Sequence, residues 1–262
     1  MVFAWQGFCF EHPDDWLPVN LTGNRQEGYA RISSPADALL QLRWKSSKGK
    51  PSADAVGAYL DRLAKEAQRG KKPFERRVEP EESSVSYSYH SENWGAGKLF
   101  RATEEGRVYF VEIVGPSRSK LADVFKRALR TFAEPIEQQE RWSLLGLDVL
   151  LPSGMKLESH ELKAGKTALS FSGPRLKVQA QRWGFAEQLL QKHDFADWAR
   201  AVSGLKSSKA TVTDEGVELT GNRHLLGTVT VLAKHQTMQN QITVLRVEGR
   251  GEAEKPQWSW FV

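Results

Sequence analysis

The chain has one cysteine, Cys9, in 262 residues. An intramolecular disulfide framework is excluded, so the core must be held by burial and hydrogen bonding. Cys9 sits between Phe8 and Phe10, on the strand face opposite to theirs, and no nearby base activates it. No apolar run approaches 18 residues, so a membrane-crossing helix is not expected. The first residues lack the basic and apolar regions of a secretory leader and run directly into a strand. As written, the sequence reads as cytoplasmic, or as exported if a leader has been removed.

Signatures of chemistry are also scarce. The six histidines, His12, His90, His160, His193, His224 and His235, include no pair at a metal-ligand spacing. His193 stands beside Asp194 and Asp197, but those carboxylates read as helix-start residues. His12 lies in a turn that Pro13 already explains. There is no Gly-x-Ser-x-Gly elbow. Gly165-Lys166-Thr167 has the end of a phosphate loop but carries His160 where its first glycine belongs, and it leads into a strand. The acid pairs Glu81-Glu82 and Glu104-Glu105 are adjacent in loops, where their side chains diverge rather than converge on a substrate. No catalytic residue, metal ligand or cofactor is therefore assigned.

What is present is an ordinary globular balance: 40% hydrophobic and 26% charged residues, with 9 Trp, 12 Phe and 5 Tyr. The net charge is +5 and the pI about 9.2. Residues 1–135 hold 21 Lys and Arg against 18 Asp and Glu, and the remainder 16 against 14. No basic arm carries the excess. The most basic stretches, Arg69 to Arg77 and Lys120 to Arg130, read as solvated loop and helix faces.

The chain repeats itself. Gly7-Phe8, Phe10, Pro13 and Trp16 recur as Gly146-Leu147, Val149, Pro152 and Met155, at an offset of 139. The same offset carries Trp44 onto Trp183 and Tyr59 onto Trp198. Two units are expected, 1–135 and 136–262, each of ordinary domain size. In the first, Val2 to Phe10 reads as a strand and Glu27 to Ser34 with Ala38 to Lys45 as a hairpin. Ser52 caps a helix whose stripe is Val56, Leu60, Leu63 and Ala67, closed by Gly70. Lys71 to Glu82, charged and with two prolines, reads as a loop. Val85 to Tyr89, Lys98 to Thr103 and Val108 to Val114 form a meander, with a turn at Glu104-Glu105-Gly106. A helix from Ser119 stops at Glu134-Pro135.

In the second unit, strands are expected at Trp142 to Leu151, 166–171, 176–183, 209–213, 216–220, 227–234 and 241–248. Helices are expected from Phe185 and from the Asp194 cap to Gly204. The glycine- and proline-rich stretch 249–256 cannot repeat the last helix of the first unit. The aromatic run Trp258-Ser259-Trp260-Phe261 is expected to pack in its place. The fold class expected is α+β, as two tandem copies of an antiparallel sheet flanked by helices.

A strand running into Pro13 and Trp16, a helix followed by a meander, and a last helix ending Arg130-Thr131-Phe132 resemble the PsbP-like superfamily, including its DcrB-like bacterial relatives. The resemblance covers most of the first unit and, more weakly, the second. It implies an antiparallel sheet flanked by helices and a non-enzymatic binding or assembly role. No binding residue of the superfamily can be matched here.

Aromatic residues are the functional lead. Tyr87, Tyr89, Trp94, Phe100, Tyr109 and Phe110 crowd the meander. One set faces the helices; the other is left for solvent. Tyr87, Tyr89 and Trp94 beside Arg101 and Arg107 would suit a protein-binding surface. The expected function is thus a non-catalytic binding or assembly protein, monomeric or homodimeric. It would engage a protein partner through a sheet face or a groove between the units. Nucleic-acid binding by basic and aromatic surface residues is the first alternative. An enzyme with an unrecognised site between the units is the second.

Overall fold

A two-residue turn opens each half of the chain. In the computed structural model, which describes all residues except 103–105, 135–137, 206–207, 224–226 and 251–255, the chain divides into Met1–Pro135 and Ile136–Val262. The expected single strand from Val2 to Phe10 is a hairpin of β1 (Val2–Trp5) and β2 (Phe8–Glu11). Gln6 and Gly7 between them have φ of 50° and 82°. That left-handed pair is what a type I′ turn requires, and its twist matches the strands it joins.

The first unit continues with β3 (Leu17–Gly23), β4 (Glu27–Ser33), β5 (Leu39–Ser46), α1 (Ala53–Arg69), β6 (Glu75–Pro80), β7 (Ser84–His90), β8 (Trp94–Arg101), β9 (Arg107–Gly115) and α2 (Arg118–Arg130). Strands β3 to β9 form one antiparallel sheet in the order β3-β4-β5-β9-β8-β7-β6. Ser52 caps α1 by accepting from the Asp54 amide, and the Gly70 N–H returns to the Glu66 carbonyl. The expected turn at 104–106 falls largely outside the described residues.

The second unit has β10 (Gln139–Leu144), β11 (Leu147–Pro152), β12 (Lys156–Lys163), β13 (Lys166–Ser172), β14 (Leu176–Gly184), α3 (Ala186–Leu190), α4 (Phe195–Ser203), β15 (Lys209–Thr213), β16 (Gly216–Arg223), β17 (Gly227–Gln236) and β18 (Gln241–Arg250). Leu145 and Gly146, at φ 50° and 80°, repeat the type I′ turn between β10 and β11. Its sheet runs β12-β13-β14-β18-β17-β16-β15. Strand for strand, this is the order of the first unit.

The expectation of an α+β fold with one sheet per copy is corrected. Among the described residues, eighteen strands stand against four α-helices, and antiparallel sheet dominates. The two hairpins lie outside the seven-stranded sheets, so the sheets are more numerous than the two expected. The sequence hid the extra strands for a physical reason. Strands β3, β6 and β12 are sheet edges and lack the alternation of buried apolar and exposed polar residues that marks a half-buried strand. Strand β6, Glu-Arg-Arg-Val-Glu-Pro, reads as a loop although each residue pairs with β7.

The matched tryptophans also part company. Trp44 points away from α1 and meets Phe8 at 5.1 Å between ring centroids. Trp183 points to the helix side and meets Trp198 of α4 at 5.8 Å. A shift of one residue in the turn before the strand exchanges the faces of a strand. Tyr59 and Trp198 do correspond, each on the inner side of its helix.

The end of each unit returns to its hairpin. Ala133 bridges Cys9, exchanging two backbone hydrogen bonds of 2.9 Å, while Phe132 packs on Phe8, Phe10, Phe100 and Tyr109. In the second unit Phe261 bridges Val149. Trp260 and Phe261 are buried, and Trp258 lies over Gly216. Residues 251–255 lie outside the described residues, so the expectation for 249–256 is only partly covered.

Candidate functional site

Strand β9 puts a carboxylate where an aliphatic side chain is usual. Along Arg107–Gly115, Tyr109, Val111 and Ile113 are buried on one face. Val108, Phe110 and Glu112 take the other, towards α1. Glu112 is 0% exposed. In the strand register, Gln41 of β5, Glu112, Gly97 of β8 and Tyr87 of β7 lie in one row across the sheet.

Two glycines let the tyrosines reach across β8. A Cβ on Gly97 would lie 2.2 Å from the Tyr87 ring, and one on Gly95 2.3 Å from the Tyr89 ring. With only hydrogen at these positions, the rings lie flat over the strand and aim their hydroxyls at Glu112. Tyr87 donates to Glu112 Oε1 at 3.0 Å. From α1, Tyr59 donates at 2.9 Å, equidistant from both carboxylate oxygens. Tyr89 adds a further hydrogen bond, and Gln41 donates its amide. The Gln41 carbonyl in turn accepts from Tyr29 at 3.0 Å.

Burial pushes the Glu112 pKa above the usual carboxylate range, although the Tyr59, Tyr87, Gln41 and Tyr89 donors pull it down. Burial, then the neighbouring Glu112 charge, raises Tyr59, Tyr87 and Tyr89 in turn. The cluster is a protonation-coupled hydrogen-bond network, satisfied within the protein. The fold does not demand it. The second unit, with the same strand order, fills its helix-side layer with Val217, Leu219, Val229, Val231, Ile242 and Val244. Gly97→Ala is expected to displace the Tyr87 ring and lower stability by about 1–3 kcal/mol. Urea denaturation of the two proteins checks this.

A groove opens on the same side of the sheet. A cavity of about 640 Å³ lies between β4, β5, β9 and the loop leading into α1, a volume in the range of ligand sites. Leu99, Val108 and Phe110 contribute apolar floor. Arg43, Lys45 and Lys50 stand against one carboxylate, Glu27, among its lining residues. Arg101 fixes its loop wall, donating one guanidinium nitrogen to the Ser47 and Gly49 carbonyls at 2.6 Å each.

The five residues expected to form a surface are distributed over separate places. Tyr87 and Tyr89 enclose Glu112. Trp94 is buried at the start of β8. Arg101 braces the groove. Arg107 lies on the opposite face, 7% exposed. It is paired to Glu134 and donates to the Gln6 and Arg25 carbonyls at 2.6 and 3.0 Å. Among the described residues, α1 covers one face of the meander except where the groove exposes Leu99, Val108 and Phe110, and the hairpin with Phe132 packs on the other. Glu112, Tyr59 and Gln41 were missed. The one signal was a lone glutamate inside the apolar run Val108 to Val114.

His12 is equally enclosed. Burial lowers its pKa to about 4, and it packs against Phe3 and Phe10. Among the described residues, no group of three His, Cys, Asp or Glu is placed to hold a metal ion. No helix among them is long and apolar enough to cross a membrane.

The architecture defines a tandem pair of sheet-dominated units with one strand order. The chain matches no protein-family model and no curated protein. Among solved structures it is similar to the solution structure of cyanobacterial PsbP (CyanoP) from Synechocystis sp. PCC 6803. The TM-score is 0.35 and the identity 13%, over 52% of this chain and 92% of that one.

Proposed function

We propose that the chain is a non-catalytic binding protein that engages a protein partner through the groove on the α1 side of its first sheet. The observation that carries this is the apolar floor of Leu99, Val108 and Phe110 beneath three cations and a single acid. That combination suits a partner segment with an apolar side chain flanked by acidic residues. The tandem is read as a duplicated PsbP-like unit, and the repeated strand order and type I′ hairpins support the duplication.

The alternatives find less support. Several cations of the 69–77 stretch are matched by acids: Lys72 with Glu92, Arg76 with Asp61, Arg77 with Glu79. A phosphate backbone would need such charges available on one face. For an enzyme, Glu112 is the unusual group, but it is fully enclosed and does not line the groove.

The test compares tagged wild-type protein with an Arg43→Glu/Lys45→Glu variant in native lysate, with and without nuclease, read by mass spectrometry. The expected result is a protein retained by wild type under both conditions. Its recovery should fall at least about tenfold with the variant, because like charges now face the acidic segment. Retention unchanged by the double reversal would overturn the groove assignment. Retention that vanishes with nuclease would move the reading to nucleic acid.

A further inference from the structure

The two seven-stranded sheets have four edges, and three are guarded against pairing. Strand β3 has Pro18 and an irregularity between Pro18 and Asn20. Strand β6 carries Glu75, Arg76, Arg77, Glu79 and Pro80. Strand β12 has Lys156, Glu158, Glu161 and Lys163, with a shift between Leu157 and Ser159. These are the devices by which proteins keep strand edges from adding another strand. Strand β15, Lys-Ala-Thr-Val-Thr, has no proline and no register shift, and Lys209 is its one charge.

Strand β15 also ends a buried row. Val244 pairs with Ala233, Ala233 with Val217, and Val217 with Val212. The first three are 0–1% exposed, whereas Val212 is 72% exposed. The apolar layer under α4 runs to the sheet edge and stops in solvent.

We propose that β15 is a self-association edge, taking β15 of a second copy of this chain in antiparallel register about Val212. The register is self-complementary, as a twofold interface requires. With Val212 opposite Val212, Thr211 faces Thr213 of the second copy. Lys209 faces Glu215, which lies in the turn that follows β15, and the symmetry makes this charge pair twice. No like charges are opposed. Pairing completes the apolar row and satisfies the outward backbone groups, which alternate residues of β15 present. An interface of this size is that of a weak, concentration-dependent dimer.

Sedimentation velocity from about 5 to 500 μM tests the proposal on the full chain, over the range in which small interfaces associate. The weight-average mass of wild type should rise towards twice that of the monomer. Val212→Lys places two cations face to face and should abolish the rise, with circular dichroism checking the fold. Lys209→Glu should weaken association, and Lys209→Glu/Glu215→Lys should restore it by exchanging the charges. Amide hydrogen exchange of wild type should show β15 protection increasing with concentration. A protein that stays monomeric throughout overturns the proposal. So does a dimer indifferent to Val212→Lys and to the charge changes, or one whose β15 amides gain no protection.

Discussion

Glu112→Ala is expected to destabilise the first unit by about 3–5 kcal/mol, since it leaves buried donors unpaired and opens a cavity among Tyr59, Tyr87 and Gln41. Set against a typical domain stability of about 5–15 kcal/mol, that is a large share. Denaturant unfolding followed by tyrosine and tryptophan fluorescence measures it. Glu112→Gln keeps the shape and most of the partners, and so separates the carboxylate's size from its charge.

The same pair of proteins carries a pH prediction with a definite sign. Burial raises the Glu112 pKa above its ordinary value of 4.5, so the folded state holds the proton more tightly than the unfolded chain. Its stabilising contribution is fully present below the unfolded value and is lost as pH rises through the folded one. Wild type should therefore lose stability relative to Glu112→Gln as the pH rises above the ordinary carboxylate value of 4.5 and through the raised folded-state value. Glu81 and Glu161 are held at about 2 by their hydrogen bonds. Their opposite contribution is common to both proteins and cancels in the difference. A wild-type curve parallel to that of the glutamine variant would refute the shift.

Removing residues 257–262 is the second large effect. Trp260 is 3% and Phe261 9% exposed, and each such aromatic is worth about 3–5 kcal/mol in a core. The truncation also deletes the bridge from Phe261 to Val149. The second unit is expected to lose most of its stability, giving an early thermal transition while the first unit unfolds as before. Calorimetry resolves the two. An unchanged melting profile would show that this segment packs without holding anything.

Much of the fold was legible. The α1 stripe, its Ser52 cap and the Gly70 stop act through local chemistry, and the helix forms where they place it. The β4–β5 hairpin and the strands of the second sheet from Lys209 onward were visible for the same reason: their alternation or turn residues are local. Edge strands β3, β6 and β12 were not visible, because what makes them strands is a neighbour's backbone rather than their own side chains. The two hairpins read as continuous strands because Gln6-Gly7 and Leu145-Gly146 interrupt an apolar run without the usual Asn or Asp.

The site was less legible than the fold. The aromatic crowding of the meander was real, but exposure was inferred by assuming one free face. Tyr87 and Tyr89 depend on Gly97 and Gly95, which lie on the next strand and come opposite them only in the register of the sheet. Arg107 depends on carbonyls at Gln6 and Arg25, 101 and 82 positions away in the chain. The sequence by itself determined the helices and most strands of both units, because periodicity and turn chemistry act over a few residues. Only the tertiary structure decided that Glu112 is enclosed by tyrosines, that Trp44 and Trp183 face opposite ways and that β15 is the unguarded edge. The first two turn on strand register, where a single residue reverses every side chain, and the third on the order of strands in the sheet.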